Sequence, residues 1–263
     1  MTPLQDILTV LSGSLVGFSL GLVGGGGSVL AVPLLVYLVG VRDPHVAIGT
    51  SALAVAANAA FNLATHFRSG TVKLRCAATF AGFGVAGAAI GSPAGKAVDG
   101  ESLLALFGVA MVAVGLSIAR RPAAAGNAAV RLDSASARHL LPRIVVSALG
   151  VGFLAGFFGI GGGFLIVPGL IFSTGMPLLN AIGSSLVSVT AFGVTTAGNY
   201  ALSGLVDWRL AALLLAGGVA GGLLGVVVSR RLARERRALS FAFAGIVVLV
   251  GLYVVWQGAV ALL

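Results

Sequence analysis

Apolar residues recur along this chain in long runs separated by short polar breaks, at about 44–65, 76–92, 102–119, 177–202, 210–229 and 239–262. Most of these runs approach the ~20 residues that carry a helix across the hydrocarbon core of a bilayer. Two further pairs of apolar segments flank glycine-rich stretches near residues 24 and 160, which brings the set to ten. The pattern predicts an all-α polytopic membrane protein. Composition agrees: 58% of the residues are hydrophobic and 9% are charged, against roughly 25% charged in a soluble domain.

The glycine stretches interrupt the pattern where helix would be expected. "GLVGGGGSVLAVP" (21–33) sets four consecutive glycines in apolar surroundings, although each glycine costs a helix about 1 kcal/mol relative to alanine. A second stretch, "GFLAGFFGIGGGFLIVP" (152–168), aligns with "GFSLGLVGGGGSVLAVP" (17–33), with 9 of 17 positions identical. The register then resumes one residue shorter. "AIGTS" (47–51) meets "AIGSS" (181–185), "SGTVKLR" (69–75) meets "SGLVDWR" (203–209), and "GVAG" (84–87) meets "GVAG" (218–221). Shared bias toward glycine and alanine would not hold one register over such a length.

Each copy carries five hydrophobic segments, an odd number, so the second copy enters the membrane from the opposite side to the first. Residues 1–119 and 144–263 are therefore expected to form two inverted repeats, joined by a cytoplasmic linker over 120–143. Secondary transporters are often built this way, with the substrate site near the midplane between the halves.

Charge fixes the expected orientation. One set of connections holds thirteen basic residues: Arg68, Lys73, Arg75, Arg120, Arg121, Arg131, Arg138, Arg143, Arg230, Arg231, Arg234, Arg236 and Arg237. The other set holds Arg42, Lys96 and Arg209. By the positive-inside rule the basic loops are cytoplasmic and both termini outside. The net charge of +9 is thereby assigned to membrane lipids and not to nucleic acid. The first segment carries Asp6 and lacks a basic leader, so it does not read as a cleaved signal peptide. A lone Cys76 and three scattered histidines (His45, His66, His139) give no metal cluster, and no cofactor is expected.

The segments after the glycines are short. Residues 28–41 would make roughly 21 Å of helix and 162–174 about 20 Å, less than the ~30 Å of a bilayer core. Each glycine stretch thus reads as a hairpin dipping into the membrane, or as a pair of crossings with inward-reaching loops. Either way the chain returns to the side from which it came. Non-helical backbone at membrane depth must be buried in protein or line a wet cavity, and free N–H groups at a following helix attract anions. Gly24, Gly25, Gly26, Gly27 and Ser28 in the first stretch, with Gly159, Gly161, Gly162 and Gly163 in the second, are candidate anion-binding positions. The alternative, tight helix packing, suits the glycines spaced by four: Gly13/Gly17/Gly21, Gly87/Gly91/Gly95 and Gly217/Gly221/Gly225.

Pro33 and Pro168 follow the two stretches and are expected to kink their helices. Asp43 and Pro44 read as an N-cap and first helical residue. Thr50, Ser51, Ser184 and Ser185 begin the next helix in each copy, and Asn58 lies two turns further on. These are candidate substrate contacts, against the alternative that the hydroxyls bond their own backbone. Further polar residues, among them Asn62, Ser188 and Thr196, read first as interhelical hydrogen-bonding groups. The seven acidic and sixteen basic residues all fall in loops or at segment ends, so an anion would be held by neutral dipoles. His66, at the cytoplasmic end of its helix, reads as a solvated loop histidine.

Taken in order, the paired glycine runs with their prolines, the Ala-Ile-Gly-Thr/Ser-Ser motifs and Gly204-Leu205-Val206-Asp207-Trp208 resemble the TauE/SafE sulfite exporter family. The first copy departs from that last pattern, with Val72-Lys73-Leu74. The resemblance implies a multi-pass permease of the bacterial inner membrane for small sulfur-containing anions such as sulfite, sulfoacetate or related organosulfonates. It also implies that 24–33 and 159–168 are the signature hairpins, flanked by 47–51 and 181–185. A passive anion channel and an importer of another small organic anion stay open beside export by alternating access. An enzyme is disfavoured, because no Ser/His or paired-carboxylate arrangement lies at membrane depth. The sequence leaves the oligomeric state open.

Overall fold

The computed structural model describes residues 3–120, 132, 134–159, 163–231 and 236–261, and every regular element among them is helical. The chain opens with α1 (Pro3–Val23), tightens into a 3-10 stretch (Gly24–Leu30), passes through the single turn α2 (Ala31–Pro33) and widens into a π stretch (Leu34–Val39). Long helices follow: α3 (Pro44–Arg68), α4 (Leu74–Lys96) and α5 (Gly100–Arg120). The remainder runs through α6 (Ser134–Phe158), the short α7 (Gly163–Thr174), α8 (Leu178–Leu202), α9 (Trp208–Arg231) and α10 (Arg236–Ala261).

Seven of the described helices are long and apolar enough to cross a membrane, while Gly27–Val39, Gly163–Thr174 and the Val247–Gly258 part of α10 are shorter apolar helices. Local chemistry sets the boundaries. The Asp43 carboxylate accepts the His45 backbone N–H at 2.8 Å, with Pro44 in the first turn of α3, as the sequence predicts. The linker expected over 120–143 is helical from Ser134 onward, and 121–131 lie outside the described residues. Pro142 and the nearby charges make that stretch read as loop. Yet Pro142 sits inside α6, and the carbonyl it leaves without a donor belongs to the exposed Arg138, where solvent can satisfy it.

The centre of the bundle is α3 against α8, the two most buried spans, with 67% and 56% of their apolar windows enclosed. Around them α1 packs on α9, α4 on α6 and α5 on α10, while α9 also meets α3 and α4 also meets α8. Glycine sets how close these pairs come. Gly17 of α1 lies against the backbone of Gly218, and Gly152 of α6 lies against that of Gly84, with no room for a Cβ at either place. The four-spaced glycines all press on neighbouring helix backbone: Gly13, Gly17 and Gly21 on α9, Gly87, Gly91 and Gly95 on α6, Gly217, Gly221 and Gly225 on α1. Because lipid tails give no hydrophobic drive to helix association, this close contact between backbones is what holds such a bundle together.

The outer face is apolar, with Val146, Phe172, Leu202 and Leu249 all more than two-thirds exposed. A surface of that kind belongs in lipid. Charges gather at helix ends, as in the pair Asp6–Arg209 at 2.6 Å, which joins the starts of α1 and α9.

Candidate functional site: the paired glycine segments

The first glycine stretch turns the chain back on itself. A Cβ on Gly27 would run into the backbone of Ser19 and Leu20, residues that would be about 10 Å away along an unbroken helix. The return reaches the level at which the chain entered, because the Gln5 amide near the start of α1 donates to the Val39 carbonyl at 3.4 Å. Seven residues of 3-10 helix are unusual where runs beyond three or four are uncommon. Gly24–Gly27 make the tighter winding possible, and Pro33, lacking an N–H, interrupts the ladder just before the π stretch. Val29, Ala31, Val32 and Leu35 on this return are wholly buried, and so is Ser28.

The second stretch breaks more sharply. Gly159 follows α6 with φ of +67°, a left-handed conformation that costs other L-residues roughly 1–2 kcal/mol. Gly161 and Gly162 lie outside the described residues, and Gly163 is the buried first residue of α7. Pro168 lies within α7, which continues through it.

The two stretches meet. α7 packs on Gly24–Leu30, and that 3-10 segment also touches α8. On the opposite side Gly159 sits against Ile48 of α3, leaving no space for a Cβ. The Ala-Ile-Gly-Thr/Ser-Ser motifs stand where the helices of one part of the chain receive loops of the other. Thr50 Oγ1 accepts the Asp207 backbone N–H at 2.9 Å, and Ser184 Oγ accepts that of Lys73 at 2.9 Å. Gly49 lies beneath the Leu205 carbonyl and Gly183 beneath the Thr71 side chain. Ser51 and Ser185 donate to Ile48 and Ile182 within their own helices, at 2.9 and 2.7 Å. All four hydroxyls are therefore engaged with backbone, two of them as clasps on the loops 69–75 and 203–209.

Asn58 differs. It is buried in α3 at 1% exposure, and neither atom of its carboxamide has a hydrogen-bond partner. Asn62, one turn on, is 2% exposed with an unpartnered Nδ2, and Ser188 Oγ on α8 is likewise unpartnered. Asn62 and Ser188 were legible only as polar residues on apolar helices. Their want of partners appears once the neighbouring helices are in place.

His66 is not a solvated loop residue. It is 7% exposed in the last turn of α3, with Nδ1 at 3.1 Å from Thr71 Oγ1. Thr71 donates its own proton to the His66 carbonyl, and the Asn180 amide donates to the Thr71 carbonyl at 2.9 Å, which folds the loop over the ring. At the corresponding end of α8, sequence reading missed Tyr200. That residue is fully buried, its hydroxyl is unpartnered, and Lys96 Nζ lies 5.7 Å from its ring centre. Lys96 is held by Ser203 Oγ at 2.7 Å and the Asn199 carbonyl at 3.2 Å.

This arrangement has known relatives. The sequence model of the sulfite exporter TauE/SafE family matches residues 9–254, nearly the whole chain. The chain belongs to the TauE/SafE family. A "probable membrane transporter protein" of Xylella fastidiosa is 49% identical over 98% of this chain and 97% of its own length. YjnA of Bacillus subtilis, described in the same words, is 30% identical over 94% of this chain and 99% of its own. A further "probable membrane transporter protein", from Methanocaldococcus jannaschii, is 25% identical over 94% of each chain. No solved structure matches the chain. This TauE/SafE protein is thus a multi-pass membrane transporter.

Proposed function

We propose that the protein is a secondary transporter that exports small sulfur-containing anions, sulfite or an organosulfonate, by alternating access between two inverted repeats. The repeats comprise residues 1–119 and 144–263 joined through 120–143, in the bacterial inner membrane, with both termini outside and the basic loops cytoplasmic. The observation that carries this reading is the meeting of the two glycine stretches beside the central pair α3 and α8.

Several contacts exchange under the sequence register, which supports the inverted arrangement. Gly17 on Gly218 becomes Gly152 on Gly84, Gly21 on Gly222 becomes Gly156 on Ala88, and the Thr50–Asp207 clasp becomes Ser184–Lys73. Chemistry at the meeting point suits an anion that must be released again. On this reading Gly24–Ser28 and Gly159–Gly163 line the anion's place, where the N–H groups that open α7 at Gly163 and the unpartnered Asn58 amide offer neutral donors without a fixed charge. Thr50, Ser51, Ser184 and Ser185 act on this reading by holding the loops and helix starts that frame those donors.

The test is flux from proteoliposomes loaded with sulfite, sulfoacetate, thiosulfate, sulfate, phosphate or chloride at matched ionic strength, with thermal stability read in detergent against the same anions. A substrate at a hundred times its dissociation constant should stabilise the native state by about 2.7 kcal/mol. Saturable, counterflow-competent movement of sulfite or a sulfonate is the expected result. Flux that neither saturates nor exchanges would make the protein an anion channel, and movement of none of the sulfur anions would remove the substrate assignment.

A further inference from the structure

At the register that relates the two copies, positions 58 and 192 correspond, as do 62 and 196, 84 and 218, and 88 and 222. The structure fills these matching places in opposite ways. Between α3, α9 and α1 the carboxamides of Asn58 and Asn62 face Gly218 and Gly222. A Cβ at Gly218 would overlap the Asn58 amide, and one at Gly222 would come within 3.0 Å of Asn62 Nδ2. The same two glycines lie against Gly17 and Gly21 of α1. Three helices thus converge on two amides that are 1% and 2% exposed, with Asn58 Nδ2 and Oδ1 and Asn62 Nδ2 all lacking a partner.

Between α8, α4 and α6 the corresponding place is filled by aromatic rings instead of amides. The Phe192 ring occupies the space over Gly84 and stacks on Phe80 with ring centres 6.4 Å apart, both rings being wholly buried. Thr196 there is satisfied by Ser92 at 3.3 Å.

A buried amide without partners is costly in a membrane interior, where no lipid group can replace the missing bonds. Two unpartnered amide donors one turn apart, Asn58 Nδ2 and Asn62 Nδ2, on one side of an otherwise repeated architecture, call for an acceptor-rich occupant on that side. We propose that the permeation path is one-sided. A small oxyanion passes the level of Asn58 and Asn62 on α3, taking N–H donors from both amides, while Phe80 and Phe192 seal the matching place between α8, α4 and α6. The inference rests on the transporter reading above and adds Asn62 as a substrate contact and the phenylalanine pair as the closed counterpart.

Single cysteines at Asn58, Asn62, Phe80 and Phe192, each in a Cys76→Ala background and reconstituted in proteoliposomes, would be exposed to the anionic, membrane-impermeant reagent 2-sulfonatoethyl methanethiosulfonate. Labelling at 58 and 62 at least tenfold faster than at 80 and 192, slowed by sulfite, is expected. Equal rates, the reverse order, or no labelling at 58 and 62 would overturn the proposal. Fast labelling at 58 and 62 that sulfite does not slow, in a protein that carries no sulfite, would keep the path and discard the substrate. Reversed labelling in a protein that does carry sulfite would discard the path and keep the substrate. Should a cysteine variant fail to fold, Asn62→Leu against Phe192→Leu gives a second reading: at least a tenfold loss of flux in the first and little change in the second. Equal losses would count against one-sidedness.

Discussion

At the residue scale the protein depends on what is absent as much as on what is present. Gly91 lies on the backbone of Phe153 with its missing Cβ pointed into Phe153 and Phe157, whereas Gly82 on the same helix has nothing within 4 Å. Gly91→Ala should therefore destabilise by about 1–3 kcal/mol through overpacking, and Gly82→Ala should be neutral or stabilising by up to ~1 kcal/mol. Melting temperatures of the two variants in one detergent decide this. The hydroxyl clasps make a second case. Thr50→Val keeps the shape but leaves the Asp207 N–H without its acceptor, so a loss of about 1–3 kcal/mol is expected. Thr50→Ser should recover most of it. Hydrogen exchange at the Asp207 amide should quicken in the valine variant and return to the wild-type rate in the serine variant.

Among elements, the unusual ones are the short returns after the glycines. A helix can lose its regular ladder at membrane depth only where protein encloses it, and here the enclosure comes from α7, α8 and α1 around Gly24–Leu30. Leucine at Gly26 or Gly162 should abolish sulfite flux while leaving membrane insertion and yield intact. Normal transport by both variants would remove the glycine stretches from the mechanism. Much at this scale was legible in the sequence. The four-glycine run, the short apolar tails and Pro33 announced a break, and Asp43-Pro44 announced the start of α3. The start of α6 was not, because Pro142 and its neighbouring charges mimic a linker. A helix end exposed to solvent tolerates both.

For the molecule as a whole, sidedness is the property that sequence charge addresses most directly. A cysteine or epitope placed in 120–143 should be reached only from the cytoplasmic side, and one beside Arg209 only from outside. Impermeant labelling of right-side-out and inverted vesicles checks both, and the opposite result would overturn the sidedness read from loop charge. The Asp6–Arg209 pair, which joins the starts of α1 and α9, is partly solvated, so Asp6→Asn should shift stability by less than about 1 kcal/mol.

By itself the sequence determined the membrane class, the family, the twofold repetition of motifs and the glycine faces that pack, because hydropathy, spacing and residue size act locally and are written in order along the chain. What Thr50, Ser184, His66 and Asn58 each do was decided only in three dimensions. Their surroundings come from elsewhere in the fold: the loop N–H groups of Asp207 and Lys73 donate to the first two hydroxyls, a folded loop covers the histidine, and the Asn58 amide faces Gly218 of α9 without a hydrogen-bond partner. Whether a buried polar atom is satisfied is a property of its neighbours, and neighbours across a bundle are set by helix packing.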